Sequence, residues 1–343
     1  MIRTILTPVD GSVHAQMALD LSTDLAAKYD AKIVLLHVVT HDNNVPQELY
    51  DDAERELMEE DGASGYTGPA APLLLRSKVL EHFGNKLLHS SQELAKDKGV
   101  KQVETIIDYG AADKRIIHQA KSKSADLIVM GNRGFGKLKQ LVLGSISHNV
   151  FHLAPCSCVT VHHTDTQAAF EGIKNILVPT DGSDQANKAV DLATDIAVRY
   201  GAKLSLVYVT CCGPSLKTLR DSIDMNQLSE SARDELDPSQ HPVAEHVSNL
   251  FVPPVVSNDT LREIGEQVLA RGRQTSEEKG VSSTNTVLMD GDPALKILQV
   301  AKREQFDLIT MGSRGLGGAE GFLAGSVSYK VNHSAPCNCL FVR

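Results

Sequence analysis

The sequence predicts two tandem α/β domains, each a doubly wound, five-stranded parallel sheet with helices on both faces. Three observations carry that reading. The chain has 343 residues, too many for one ordinary core and suited to two domains of about 150 residues each. Blocks of sequence occur twice in the same order. Within each copy, short apolar runs alternate with longer amphipathic stretches, the pattern of βαβ units.

The repeat is direct. Ile2-Arg3-Thr4-Ile5-Leu6-Thr7-Pro8-Val9-Asp10-Gly11-Ser12 returns as Ile173-Lys174-Asn175-Ile176-Leu177-Val178-Pro179-Thr180-Asp181-Gly182-Ser183, an offset of 171 residues. Asp126-Leu127-Ile128-Val129-Met130-Gly131 returns as Asp307-Leu308-Ile309-Thr310-Met311-Gly312, and Ala154-Pro155-Cys156-Ser157-Cys158 as Ala335-Pro336-Cys337-Asn338-Cys339, both at offset 181. The second copy therefore carries a net ten-residue insertion between these blocks. Units of domain size in one shared order indicate duplication and fusion, not a solenoid.

Each element follows from composition. Strands are expected at 2–7, 32–39, 102–107, 126–130 and 157–162, then at 173–178, 203–209, 284–289, 307–311 and 338–342. Runs such as Ile33-Val34-Leu35-Leu36 are apolar on both faces, as a covered parallel sheet requires. Helical periodicity fills 14–29, 73–98, 112–123 and 144–152, then 185–200, 260–279, 293–304 and 325–334. The expected domains are 1–163 and 173–343, joined by a polar linker at 164–172. Segments 40–72 and 210–259 carry little pattern and read as lids, binding loops or poorly ordered surface.

Composition narrows the function. With 34 basic against 43 acidic residues the formal net charge is −9, which disfavours nucleic acid as a partner because phosphate binding needs clustered Lys and Arg. Trp is absent, and Tyr and Phe number 7 and 8, so stacking platforms are sparse. No apolar run approaches the roughly 20 residues that span a bilayer. The chain opens Met1-Ile2-Arg3 directly into a strand, which leads us to expect no signal peptide and a cytoplasmic protein. Six cysteines do not suggest a disulfide scaffold.

The strongest local signal follows the fourth strand of each copy. Gly131-Asn132-Arg133-Gly134 is followed after nine residues by Gly144-Ser145; Gly312-Ser313-Arg314-Gly315 is followed after nine by Gly325-Ser326. Glycine lets backbone approach a phosphate with no Cβ in the way, and reaches positive φ for a turn. The Gly-Ser pair opens a helix whose free N–H groups and positive dipole end favour an anion. Ser145 and Ser326 can cap that helix or bond a phosphate oxygen, and Arg133 and Arg314 can reach a phosphate from the loop. The rival reading is a glycine-rich turn with a capped helix and no ligand. Recurrence in two divergent copies favours binding.

Asp10 and Asp181 end the first strands, in Pro-Val-Asp-Gly-Ser and Pro-Thr-Asp-Gly-Ser. Ligands of doubly wound sheets sit beyond the carboxyl strand ends where chain order reverses. A carboxylate there can accept bonds from a base or ribose, or it can cap the next helix in competition with Ser12 and Ser183.

Asp-Gly-Ser after the first strand together with G-x2-G-x9-G-S after the fourth resembles the ATP-binding class of universal stress proteins, twice over and across nearly the whole chain. The resemblance implies a Rossmann-like sheet of order 3-2-1-4-5 and an ATP pocket in each copy, with magnesium accompanying the nucleotide. It places Asp10 near adenine and ribose, the Val38 backbone at the adenine edge, and Gly131, Arg133, Gly134, Gly144, Ser145 and Ile146 around ribose and phosphates. The matching set is Asp181, Val209, Gly312, Arg314, Gly315, Gly325, Ser326 and Val327. The family's Gly-Asp-Pro after the third strand stands as Gly291-Asp292-Pro293 in the second copy, whereas the first has Gly110-Ala111-Ala112-Asp113. That departure makes the second pocket the stronger candidate if only one binds. Members commonly dimerise, so the resemblance also implies an intramolecular pseudo-dimer.

The expected role is a stress-response nucleotide sensor or holder with at most slow hydrolysis and no assigned catalytic residue. The rivals are a slow ATPase or nucleotidyl-transfer enzyme, and an interaction module with a vestigial loop whose irregular segments hold a protein partner or small molecule. Cys156/Cys158 and Cys337/Cys339 read as small buried residues more readily than as zinc thiolates. His148 and His152 have i, i+4 metal spacing but no counterpart pair in the second copy. No metal site is assigned.

Overall fold

A computed structural model describes residues 2–40, 45–61, 71–135, 144–162, 170–210, 216–237, 239, 256–315 and 325–343. The chain divides into two compact units, Met1–Phe170 and Glu171–Arg343. Of the expected linker at 164–172, residues 164–169 lie outside the described residues.

In the first unit, β1 (Thr4–Pro8), β2 (Lys32–Val39), β3 (Val103–Tyr109), β4 (Leu127–Gly131) and β5 (Ser157–Val161) form a parallel sheet of order β3-β2-β1-β4-β5. In the second, β6 (Asn175–Pro179), β7 (Lys203–Thr210), β8 (Thr284–Asp290), β9 (Leu308–Gly312) and β10 (Asn338–Val342) repeat that order as β8-β7-β6-β9-β10. This is the expected 3-2-1-4-5 sheet in each unit. Parallel strands need crossovers, and period-two alternation sends successive side chains to opposite faces. Leu6, Val34, Leu36, Ile128 and Met130 accordingly pack with Ile116, Ala120 and Val150 of α4 (Ala112–Ser122) and α5 (Ser145–Leu153). The opposite face of the sheet carries α1 (Val13–Tyr29) and α3 (Ala71–Asp97).

The repeated aspartate before the fourth strand has a structural cause. Asp126 Oδ2 accepts from the Arg3 and Thr4 N–H groups at 2.8 and 2.9 Å, and Asp307 Oδ2 accepts from Lys174 and Asn175, both at 2.8 Å. Each bolts the start of the first strand to the start of the fourth. At the other end the central pair separates: β1 keeps five rungs with β2 but only Ile5–Leu127 and Leu6–Ile128 with β4. The same two-rung pairing joins β6 and β9. A crevice thus opens at the carboxyl ends where chain order reverses, the usual ligand position in such sheets.

The irregular segments are partly helical. Within 40–72 lies α2 (Gln47–Asp61). Eight of its fifteen residues are acidic, which hides the signal, yet Tyr50, Ala53 and Leu57 pack on Leu75, Val79 and Phe83 of α3. Within 210–259 lie α7 (Leu216–Asp221), a 3-10 turn at Met225–Gln227 and α8 (Glu230–Glu235). Leu219, Leu228, Ala232 and Leu236 are buried there. Residues 41–44, 62–70, 211–215, 238 and 240–255 of these segments lie outside the described residues. The remaining helices of the second unit are α6 (Asp184–Tyr200), α9 (Asn258–Glu278), α10 (Pro293–Glu304) and α11 (Ser326–Ser334).

Candidate functional site

The site is built from backbone first. Along β2, Lys32 N–H donates to Arg3 O and Leu36 O accepts from Val9 N–H, both at 2.8 Å. Ile33 and Val39 bond instead toward β3, to Gln102 O and from Gly110 N–H. Even-numbered residues therefore turn their backbone groups toward β1, and Val38 does so beyond Pro8, where β1 has ended. In the second unit Thr180 N–H donates to Val207 O at 2.9 Å, and Val209 faces the space past Pro179 in the same register. Both valines expected at a base edge thus present backbone polar groups at a strand end.

Asp10 and Asp181 stand beside these groups. Asp10 Oδ1 accepts from Ser12 N–H at 2.9 Å and Asp181 Oδ1 from Ser183 N–H at 3.1 Å. Capping α1 and α6 falls to the serines: Ser12 accepts from Ala15 N–H at 3.3 Å and Ser183 from Ala186 N–H at 3.2 Å. The second carboxylate oxygen reaches the glycine loop. A Cβ on Gly134 would lie 2.7 Å from Asp10 Oδ2, and one on Gly315 would overlap Asp181 Oδ2.

The loop glycines have distinct causes, and positive φ is not among them. None of Gly131, Gly134, Gly144, Gly312, Gly315 or Gly325 lies at positive φ; that conformation falls on Gly11 and Gly182, at +88° and +82°, in the Asp-Gly-Ser turns. At these six described glycines the expectation of positive φ fails. Gly131 is required by packing, since a Cβ would meet His14 Cβ, C and O at 2.7–2.9 Å in the first turn of α1. Gly312 meets Arg314 O and Gln185 in the same way, at 2.8–3.0 Å. Gly134 and Gly315 make room for the carboxylates. Gly144 and Gly325 are less crowded: a Cβ would meet Asn132 O at 3.3 Å, a tight contact, in the first unit and nothing nearer than 3.6 Å in the second.

Those last two glycines hold the N-cap positions of α5 and α11 with no side-chain cap. Ser145 and Ser326 are exposed first helical residues, which overturns the expectation that they cap. A first-turn hydroxyl lies on the wrong side of its own helix end to accept from the N–H groups behind it. Those N–H groups remain directed outward at the positive end of the helix. Ile146 is exposed and Val327 half-buried. Arg133 and Arg314 are half-buried, and Arg133 Nε is buried without a hydrogen bond among the described residues.

The sequence reading missed Ser147 and Ser328. Ser147 Oγ bonds Asn132 O at 2.8 Å and Gly144 O at 2.9 Å; Ser328 Oγ bonds Ser313 O at 2.9 Å and Gly325 O at 2.8 Å. Gly144 and Gly325 N–H add 2.9 Å bonds to the carbonyls of residues 132 and 313. These bonds close each loop at its neck, whatever the loop carries; residues 136–143 and 316–324 lie outside the described residues. The signal was present, as Gly-Ser-x-Ser in both copies.

The matching geometry of the two units agrees with a comparison of sequences. The model of the Universal stress protein family matches residues 1–162 and again residues 172–343. The chain belongs to the universal stress protein family. Universal stress protein YxiE of Bacillus subtilis is 32% identical over 171 residues, 47% of this chain and 99% of that one. A putative universal stress protein of Staphylococcus aureus is 28% identical over 173 residues, 49% and 89% of the two chains. Two solved structures share the fold of this tandem universal stress protein along its length. One, from Archaeoglobus fulgidus, covers 99% of this chain and 98% of its own at TM-score 0.58 and 20% identity. A putative universal stress protein from Pseudomonas aeruginosa covers 99% and 93% at TM-score 0.58 and 16% identity.

Other features of this universal stress protein take structural parts. Asp292 of Gly-Asp-Pro is the N-cap of α10, accepting from Leu295 N–H at 2.9 Å. In the first unit Ala111 holds that position without a side-chain cap. The departure in the first copy thus costs a helix cap. Burial pushes the Cys337 thiol up to about 12, with the Asp307 carboxylate adding to it, and raises Cys339 well above its usual value. Such thiols resist the deprotonation that zinc ligation requires. The His148 and His152 rings lie 4.5 Å apart, tilted at 58°, and no group of three metal-ligating side chains gathers among the described residues. None of the described helices is long and apolar enough to cross a membrane.

Proposed function

We propose that each unit binds ATP with its magnesium in the crevice at the carboxyl strand ends, and that the protein is a cytoplasmic stress-response nucleotide holder or sensor with at most slow hydrolysis. The observation that carries this reading is the duplication of one geometry. In both units an unpaired valine backbone, an aspartate lodged against a loop glycine and an uncapped helix start stand around the same strand ends.

The residues fit the group. The backbone of Val38 or Val209 offers one donor and one acceptor, which suits the edge of adenine, and Asp10 or Asp181 suits ribose hydroxyls. A phosphate needs close access to backbone N–H groups, and the missing side chains of Gly144 and Gly325 at the helix starts leave that access, which a larger side chain would obstruct. Arg133, with a buried donor lacking a partner, supplies charge-assisted bonding. Ser145 and Ser326 offer hydroxyls to phosphate or magnesium. Glycine, serine and arginine hold phosphates without activating a water, which supports slow turnover at most.

The test is titration calorimetry with ATP and Mg²⁺ on nucleotide-free protein and on Gly144→Val and Gly325→Val. Both positions have extended backbone that valine accepts, at φ −62° and −67°. Each variant should lose one site and keep its melting point. Unchanged binding in both variants would refute the placement, and no binding by the unmodified protein would refute ATP.

A further inference from the structure

The sheet of the second unit ends at β8. Gly291 N–H donates to Thr210 O at 3.1 Å, so odd-numbered residues along β8 turn their backbone groups toward β7. Thr284, Thr286, Leu288 and Asp290 therefore direct their N–H and C=O groups outward, where no described strand pairs with them. The side chains of these even-numbered residues share the face that carries α9. Thr284 Oγ1 lies 2.6 Å from Ser276 Oγ, and Thr286 and Leu288 line a groove with Glu266, Leu269, Ala270 and Arg273 of α9. Glu266 and Arg273 are exposed at its two ends, seven residues or about 10.5 Å apart along the helix, with Ala270 between them. Neither forms an ion pair with another described residue.

The first unit has a different edge. By strand register, Thr105 and Ile107 of β3 correspond to Thr286 and Leu288. Gly84 and Gly265, which admit the His37 and Tyr208 rings, align α3 with α9. Asn85, His89 and Gln92 then stand where the second unit has Glu266, Ala270 and Arg273. A neutral amide replaces each charge, and an imidazole paired with Glu93 at 3.3 Å replaces a methyl group. On β3 itself Glu104 is held by Lys32 and Lys123, both at 2.6 Å, where β8 has Asn285. Charges of that kind blunt an edge strand against pairing. Residues 284–289 of β8 carry none.

The β8 edge is also complementary to itself. A two-fold axis through Val287, perpendicular to the sheet, sets Thr286 opposite Leu288 of a second copy, with outward N–H and C=O groups exchanged in antiparallel pairs. Helix α9 packs over both β7 and β8, so the two copies of α9 lie on one face of the joined sheet. With strands about 4.8 Å apart they run antiparallel at roughly 10 Å, an ordinary helix-packing distance. The groove sets the middle of the Glu266–Arg273 span beside the middle of the Thr286–Leu288 span. The same axis therefore brings Glu266 level with Arg273 of the second copy, and Arg273 level with its Glu266.

We propose that the β8 edge and the α9 groove form an interface between two copies of this chain, joined by antiparallel β8–β8 pairing and clasped by two Glu266–Arg273 ion pairs. One patch serves both sides, as a two-fold dimer requires. The interface does not depend on the nucleotide reading above.

Sedimentation velocity of the full chain, from about 1 to about 200 μM, should show the mass of two chains at the upper concentrations. Glu266→Arg and Arg273→Glu should each raise the dimer dissociation constant at least about tenfold, and combined in one chain should return it to within about threefold of the parent. Thr286→Pro removes an outward N–H and should abolish the dimer, whereas Thr105→Pro, at the same place on the β3 edge, should leave it unchanged. If Thr286→Pro unfolds the chain by circular dichroism, Thr286→Lys replaces it. A parent that sediments as one chain at every concentration overturns the proposal. So does a dimer that survives the Thr286 variant or both single charge reversals, because it forms elsewhere. A combined reversal no tighter than the single ones overturns the pairing of Glu266 with Arg273.

Discussion

The carboxylate of Asp10 is lodged against the α-carbon of Gly134, so close that a methyl group there would lie 2.7 Å from Oδ2. Asp181 stands to Gly315 in the same way. The end of the first strand and the loop after the fourth are therefore fitted to each other in both units. The glycine is the partner that permits it.

Substituting alanine at Gly134 or Gly315 should displace the carboxylate without straining the backbone, since neither glycine lies at positive φ. We expect ATP affinity in the altered unit to fall about tenfold and stability to change by about 0.5 kcal/mol or less, as at exposed positions generally. Calorimetry beside urea unfolding reads both.

Gly131 and Gly312 should behave in the opposite way. A methyl group at either meets the first turn of α1 or α6 at 3.0 Å or less, and overpacking of that kind costs about 1–3 kcal/mol. Urea midpoints of Gly131→Ala and Gly312→Ala should drop accordingly, whereas Gly144→Ala and Gly325→Ala should stay near the parent. Equal effects at all four positions would contradict the separate causes assigned to them.

Ser147→Ala and Ser328→Ala each remove a hydroxyl that joins the carbonyls at both ends of a loop. The carbonyls of residues 132 and 313 keep one donor each, from Gly144 and Gly325. We therefore expect a loss of about 1 kcal/mol per variant and faster exchange of the Gly144 or Gly325 amide by NMR.

His37 should set part of the acid limb of stability. Burial lowers its pKa below the ordinary 6.5, outweighing the Val9 carbonyl and the Asp10 carboxylate, which raise it. Below 6.5 the unfolded chain then takes up a proton that the folded chain refuses, so stability is lost as pH falls from 6.5 toward the lower folded value. His37→Asn should flatten that part of the pH profile of urea midpoints. An unchanged slope between the parent and the variant would refute it.

Much of this fold is legible in the sequence, for physical reasons that can be named. Strands buried on both faces are dominated by apolar residues, so β2, with Ile33–Leu36 at its centre, and β10 are found at their observed bounds. Helix α2 was missed because Tyr50, Ala53 and Leu57 are embedded among acidic residues that face solvent. The site was found through its repeated glycines, but spacing could not separate a glycine that makes room for a helix from one that admits a ligand. That distinction rests on which atoms stand opposite the missing Cβ. The repeat also drew attention to Ser145 and away from Ser147, which does the fastening. His37 was invisible to it, because the second copy has Tyr208 in that place.

The central claim is that each unit holds one ATP, and native mass spectrometry of the nucleotide-free chain mixed with ATP and Mg²⁺ counts them directly. We expect two successive additions of the nucleotide mass to the intact chain, one of which disappears in Gly144→Val and the other in Gly325→Val. A chain that gains no nucleotide mass at ATP concentrations well above those in the titrations would contradict the account.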